Sequence, residues 1–187
     1  MYGTEWCKNR PTQTDRAAAH NATLPFTRIV FGAMDYTPCT FSDSQHKQIT
    51  SYAHKLALPV VFESALQHMA DRPSAYDALP AEIKEFLSGL PTAWDETKLL
   101  GGYPGTDVVI ARRKGNAWYI AGLNGTNEAR TLTFSPAALA KAGKTITLFK
   151  DGADDKSFGI EAARQLTDKE QITIECLPRG GFVAIIK

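Results

Sequence analysis

Asp107-Val-Val-Ile-Ala-Arg-Arg113, Lys114-Gly-Asn116 and Ala117-Trp-Tyr-Ile-Ala-Gly-Leu123 decide the fold of this 187-residue chain. Two runs rich in β-branched and aromatic residues flank a tripeptide of turn formers, the pattern of short strands separated by a reversal. Trp118 and Ile120 alternate with Tyr119, so one set must face the core of a sheet. Toward the C-terminus, Arg130 to Phe134, Thr145 to Lys150, Gln171 to Leu177 and Phe182 to Ile186 are further β-type runs. Gly101-Gly102, Asn124-Gly125, Asp151-Gly152 and Arg179-Gly-Gly181 punctuate the series as turns. Many short strands at close intervals predict an antiparallel sandwich or barrel-like sheet. Ser135 to Ala142 reads as one or two helical turns between strands.

Toward the N-terminus the texture changes near Pro91-Thr-Ala-Trp94, which divides the chain into residues 1–93, with α/β elements, and an all-β module over 94–187. Helix is predicted between Asp15 and Phe31 around Ala17-Ala-Ala19; Pro25 is tolerated only near a helix start, which places the helix proper from Thr23 or Leu24. Val30 to Tyr36 is a continuous apolar run, fitting a strand buried on both faces and stopped by Thr37-Pro38. Ser42-Asp-Ser44 offers N-cap oxygens. Ile49, Tyr52, Ala53 and Leu56 then recur on one helical face. Pro59 predicts a kink or break, followed by a second helical stretch from Phe62 to Ala70 and a short helix over Ala81 to Leu87.

Bulk composition narrows the function classes. The chain is 43% hydrophobic and 22% charged, as in ordinary soluble globular proteins, and its net charge of +1 gives no electrostatic footprint for nucleic acid or an anionic membrane. No run of about 18 apolar residues marks a membrane span, and no signal peptide is visible. Cys7, Cys39 and Cys176 are odd in number and widely spaced, reading as buried small apolar residues rather than a zinc site or redox pair. Asn21-Ala-Thr23 and Asn124-Gly-Thr126 match the glycosylation sequon.

Tyr2-Gly-Thr-Glu5-Trp6, Leu24-Pro-Phe-Thr-Arg28, Gly32-Ala-Met-Asp-Tyr-Thr-Pro38, Phe62-Glu-Ser-Ala-Leu-Gln67 and Pro91-Thr-Ala-Trp-Asp-Glu-Thr97, with Val108 to Arg113 and Trp118-Tyr-Ile120, occur in an order and spacing that resembles glycoside hydrolase family 97. The resemblance covers essentially the whole chain. It implies an α+β fragment: the last strand and helices of a (β/α)8 barrel over 1–93, then a C-terminal antiparallel β-sandwich over 94–187. Phe31 to Tyr36 would be barrel strand eight, and Asp43 to Ala70 the helical region after it. An N-terminal supersandwich and most of the barrel are implied upstream. The implied activity is hydrolysis of terminal α-linked glucose or galactose in oligosaccharides by a calcium-dependent enzyme, periplasmic or extracellular. The open edges of a partial barrel favour self-association, and the helices after Ser42 have the alternative of folding back on the β module.

Glycoside hydrolysis needs one carboxylic acid to protonate the departing oxygen and a second carboxylate on the opposite face. By the resemblance, Glu5 is the general acid and also a calcium ligand, although calcium needs several further oxygens. The plain alternative is a solvated glutamate. Because the opposing carboxylate is implied upstream, the isolated chain is predicted to be inactive. Asp35 and Tyr36 sit at the carboxyl end of the implied strand eight, where barrel enzymes place their sites, and read as substrate contacts; an equal reading has Asp35 bonding the turn before Pro38. Arg28 reads as a structural donor. His20, His46, His54 and His68 read as surface residues, and Trp94 as packing at the joint. Asp95-Glu96 is a capping or interface pair. Trp118, Tyr103 and Tyr119 allow a sugar-binding reading beside a core reading. A non-catalytic module for domain support, self-association or carbohydrate binding is the alternative function.

Overall fold

The computed structural model describes residues 11–36, 39–43, 47–139, 144–167 and 169–187. Among these, eight strands form two antiparallel sheets: β1 (Glu96–Tyr103), β2 (Asp107–Lys114), β3 (Ala117–Asn124), β4 (Arg130–Phe134), β5 (Thr145–Asp151), β6 (Phe158–Gln165), β7 (Ile172–Cys176) and β8 (Gly181–Ile186). Six line up as β1-β2-β3-β8-β5-β6, while β4 pairs with β7. The last strand in sequence thus lies inside the large sheet, between β3 and β5.

Alternation sorts the side chains into two cores. Val109, Ala111, Trp118, Ile120, Ile146, Leu148, Phe182, Ala184 and Ile186 face the small sheet's Leu132, Phe134, Ile172, Ile174 and Cys176. Val108, Ile110, Ala121, Leu123, Phe149 and Val183 face the opposite side, under a layer of helices. A sheet buried on both faces has little polar alternation, which explains the unbroken run Val108-Val-Ile-Ala111. Tyr119 packs on the helical side while Trp118 and Ile120 enter the sandwich, as their alternation predicts.

Gly122 makes room for the sandwich core. A Cβ there would stand 2.1 Å from the Phe182 ring, which is fully buried and stacks on Phe134 with centroids 5.9 Å apart. Gly122→Ala is therefore expected to cost about 2 kcal/mol through overpacking, read as a lower thermal midpoint; an unchanged midpoint would show that the ring can retreat.

Five α-helices accompany the sheets among the described residues: α1 (Pro11–Thr14), α2 (Ala17–Thr23), α3 (Tyr52–Val61), α4 (Pro73–Asp77) and α5 (Ala81–Ser88). Helix α3 lies against the large sheet and is buried from Ala53 to Val61. Its termini show why so apolar a segment is helical here. Ser51 is the N-cap, its Oγ accepting the His54 backbone N–H at 3.0 Å, while the Tyr52 N–H donates to the Asp155 carbonyl at 2.8 Å. The last carbonyls are all met. Phe62 N–H donates to Leu58, Gln67 Nε2 to Pro59 at 3.2 Å, and Arg112 Nε and Nη2 to Val60 and Val61 at 2.6 and 3.0 Å. From α5, Ile83 and Phe86 are buried, with Phe86 5.7 Å from the Phe149 ring.

Several elements differ from the sequence expectations. Pro59 does not break α3: the Lys55 carbonyl, deprived of its i+4 donor, accepts the Cys39 thiol at 3.2 Å. The helix starts at Ser51 rather than at Ser42-Asp-Ser44. Ser42 bonds Asp71 instead, and Asp43 holds Lys156 at 2.7 Å; Ser44 lies outside the described residues. Phe62 to Ala70 is not helical, and helix near Ala17 ends at Thr23 instead of beginning there. The strand expected over Phe31 to Tyr36 does not form. Arg28–Phe31 is a 3-10 turn, closed by the Arg28 guanidinium on the Gly32 and Ala33 carbonyls, and Val30 and Phe31 are exposed. Tyr36 makes a single parallel bridge to Gln67. An apolar run becomes a strand only where neighbouring strands accept its backbone, and none flank it among the described residues.

Candidate functional site

The densest polar construction lies where the start of α3 meets the ends of β5 and β8. Asp151 closes β5 and is buried; its carboxylate accepts the Ser51 hydroxyl and the Leu177 and Gly181 amides, at 2.9 and 3.0 Å for the amides. Burial pushes its carboxyl upward, against those three hydrogen bonds. Gly180 and Gly181 are required by this approach. A Cβ on Gly180 would lie 2.0 Å from Asp151 Oδ2, and one on Gly181 2.9 Å from the His54 Cα.

His54 is fully buried beside them, not on the surface as the sequence reading had it. Its Nδ1 lies 3.0 Å from the Gly180 carbonyl and its Nε2 3.1 Å from Asn21 Nδ2, while Tyr36 Oη donates to Asn21 Oδ1 at 3.2 Å. The partners fix one tautomer: Nδ1–H donates to Gly180, and Nε2 accepts from Asn21. Burial lowers the His54 pKa to about 4, keeping the ring neutral. Ser51, His54 and Asp151 share residue types with a hydrolase triad, but Ser51 donates to the aspartate and the imidazole touches neither. This network fastens a helix to a sheet.

Arg112 fastens the other end. Its side chain is 1% exposed, and beyond the helix carbonyls its Nη1 reaches Thr97 Oγ1 at 2.7 Å and Glu63 at 3.1 Å. Positions 108, 110 and 112 form one inward series, so an arginine at 112 signals a buried acceptor; the sequence reading passed over it.

Two carboxylates do share a cleft. A groove of about 270 Å³ between β6 and β7 has Ile146, Leu148 and Ile172 at its base and Glu161, Arg164 and Glu170 on its walls. Glu161 pairs with Lys150 at 2.5 Å, and Glu170 with Arg164 at 2.5 Å. The Arg164 guanidinium and Thr167 hold the Glu170 pKa below its usual value, opposite to what a general acid needs.

The sequence-derived site residues are not gathered. Glu5, like Cys7 and His46, lies outside the described residues. Asp35 is exposed and pairs with exposed His68 at 3.1 Å, while Tyr36 turns into the helical core, 4.6 Å from Phe62. His20 is exposed, and Trp94 packs on Tyr119 at 5.3 Å. Asp95 and Glu96 pair with Arg113 at 3.6 and 3.1 Å. Both sequon asparagines, Asn21 and Asn124, are buried and hydrogen-bonded. Among the described residues, no three His, Cys, Asp or Glu side chains group to hold a metal, and no helix is long and apolar enough to cross a membrane.

Comparison with known proteins places this architecture. A family profile described as "Glycosyl-hydrolase 97 C-terminal, oligomerisation" matches residues 93–187. A probable retaining alpha-galactosidase from Streptomyces bingchenggensis is 38% identical, over 90% of this chain and 26% of its own length. A retaining alpha-galactosidase from Bacteroides thetaiotaomicron is 33% identical, over 90% of this chain and 27% of its own. The crystal structure of a beta-arabinopyranosidase superposes with a TM-score of 0.88 at 28% identity, over 98% of this chain and 30% of that one. The chain thus spans about a quarter of the length of the curated relatives it matches.

Proposed function

Because the chain belongs to glycoside hydrolase family 97, whose C-terminal profile covers residues 93–187, we propose that it is the C-terminal portion of a retaining α-galactosidase, carrying one carboxylate of the site and inactive as an isolated chain. In this reading the β sandwich and its docked helix support the catalytic part and mediate self-association. The observation that carries it is the mounting of α3. Ser51 and His54 at one end and Arg112 at the other tie the helix to Asp151 of β5, Gly180 just before β8, and β2, so the helix is fastened to the sheet at both of its ends.

The galactoside assignment draws on the relatives' names and on sugar stereochemistry. In its L form, β-arabinopyranose has the ring configuration of α-D-galactopyranose without the C6 hydroxymethyl, so a β-L-arabinopyranoside and an α-D-galactopyranoside present the same axial C4 hydroxyl. A retaining mechanism places nucleophile and acid about 5–5.5 Å apart. Glu5 is proposed as the acid and as one calcium ligand, the remaining groups lying outside the described residues. Asp35, exposed beside His68, is proposed to contact sugar; Tyr36, whose hydroxyl is held by Asn21, anchors it. A periplasmic or extracellular location is part of the same proposal.

Two measurements test this. The purified 187-residue chain is expected to release no nitrophenol from p-nitrophenyl α-D-galactopyranoside; robust turnover would overturn the reading that the chain holds only part of the site. Substituting this chain for the matching segment of the Bacteroides thetaiotaomicron relative is expected to keep kcat/KM within about tenfold. A folded but inactive chimera would count against the supporting role.

A further inference from the structure

We propose that the outer edge of β1 is the surface through which two copies of this chain associate. This rests on the oligomerisation reading and gives it an address. Six large apolar side chains are exposed among the described residues: Val30, Phe31, Leu66, Met69, Leu99 and Tyr103. Within residues 93–187, the region matched by the profile described as oligomerisation, the set reduces to Leu99 and Tyr103, at 56% and 73% exposure. Both lie on β1.

Strand β1 ends the large sheet, so one row of its N–H and C=O groups has no strand partner among the described residues. The opposite edge, β6, is blunted by charge: Glu161 and Arg164 stand there in ion pairs with Lys150 and Glu170. On β1 the charged residues, Glu96 and Lys98, are confined to its start, and Leu99-Leu-Gly-Gly-Tyr103 carries none. A Cβ on Gly101 would meet nothing within 4 Å, so the sheet face at that position of β1 is uncovered. The register shift between Leu99 and Gly101 distributes the apolar groups over both faces. Leu99 pairs with Ile110, on the helical side; Tyr103 pairs with Asp107, whose carboxylate meets Arg130 of the small sheet. A second β1 laid antiparallel against the first therefore receives an apolar side chain on each face of the seam. Antiparallel pairing of one strand with its own copy is self-complementary about a twofold axis, so the occupant is a second copy.

Sedimentation equilibrium of the whole chain tests this, with far-UV circular dichroism confirming that each variant is folded. The double variant Leu99→Lys/Tyr103→Lys is expected to raise the dimer dissociation constant by about tenfold or more, while Val30→Lys/Phe31→Lys changes it by less than about twofold. A dimer untouched by the β1 variant but weakened by the Val30/Phe31 variant overturns the proposed surface and leaves the oligomerisation reading standing. A chain that is monomeric at every concentration overturns both. Hydrogen exchange needs no variant: β1 amides should exchange more slowly as concentration rises, and concentration-independent exchange at β1 in a dimerising chain overturns the proposal.

Discussion

Arg112→Ala is expected to remove about 4 kcal/mol of folding stability, the scale seen when one partner of a buried charged network is deleted. The guanidinium is buried at the end of α3 and donates to Val60 O, Val61 O, Thr97 Oγ1 and Glu63 Oε2. Burial lowers its pKa and the Glu63 carboxylate raises it, but the group stays cationic, opposite the negative end of the helix dipole. Alanine leaves two helix carbonyls without donors and a void the length of an arginine side chain. Lysine keeps the charge but has no planar fork to serve carbonyls and carboxylate together, so Arg112→Lys should recover less than half of the loss. Arg113 supplies the contrast. It faces solvent and pairs with Asp95 and Glu96, so Arg113→Ala should cost under about 1 kcal/mol. Urea unfolding of the three variants reads the difference, and similar costs for Arg112→Ala and Arg113→Ala would contradict the docking role assigned to Arg112.

Adjacent arginines with such different fates mark the limit of local reading. Six of the eight strands are legible because side-chain alternation and turn formers are short-range signals, and their predicted ends fall within a residue or two of the observed ones. β1 and β6 escape because edge strands are half exposed: Leu99-Leu-Gly-Gly and Glu161-Ala-Ala-Arg show neither alternation nor a solid apolar run. Helix α3 is legible as a helix, but not its surroundings. It is buried on all sides, so its histidine and lysine occupy positions that amphipathic reasoning assigns to solvent. The partners that make burial tolerable are distant in sequence, Asn21 and Gly180 for His54 and Val60 for Arg112. Val30 to Tyr36 fails for the converse reason. An apolar run states a preference for burial, and only neighbouring strands turn that preference into a strand. The proposal of Glu5 as the acid rests on resemblance alone, since a carboxylate at position 5 has no local pattern that distinguishes an acid catalyst from a solvated side chain.

The buried histidine makes the attachment of α3 acid-labile. In the unfolded chain the imidazole titrates near 6.5; in the folded chain burial lowers its pKa to about 4. Below pH 6.5 the unfolded state therefore binds a proton that the folded state refuses. The stabilisation tied to His54 is complete above pH 6.5, declines as pH falls, and is gone below about 4. A difference of this size corresponds to about 3 kcal/mol over the whole window. Asp151 acts in the opposite sense, because its folded carboxyl is shifted upward and takes up a proton before the unfolded one does. Asp43 and Asp71, held down by hydrogen bonds, lose their contribution only below their ordinary carboxylate range. His54→Asn keeps a polar group but cannot titrate, and it separates these effects. Wild type should lose about 2 to 3 kcal/mol more than His54→Asn between pH 7 and pH 4.5 in urea unfolding. At pH 7 the variant should be the weaker protein, since asparagine cannot span both the Gly180 carbonyl and the Asn21 amide. Protonation of the ring breaks the acceptor contact with Asn21 first, because imidazolium has no lone pair to offer. The Tyr36–Asn21 end of the network should then loosen before the Ser51–Asp151 end. Amide exchange at α2 rising ahead of that at the start of α3 would show this order, and equal pH slopes for wild type and His54→Asn would exclude His54 as the group responsible.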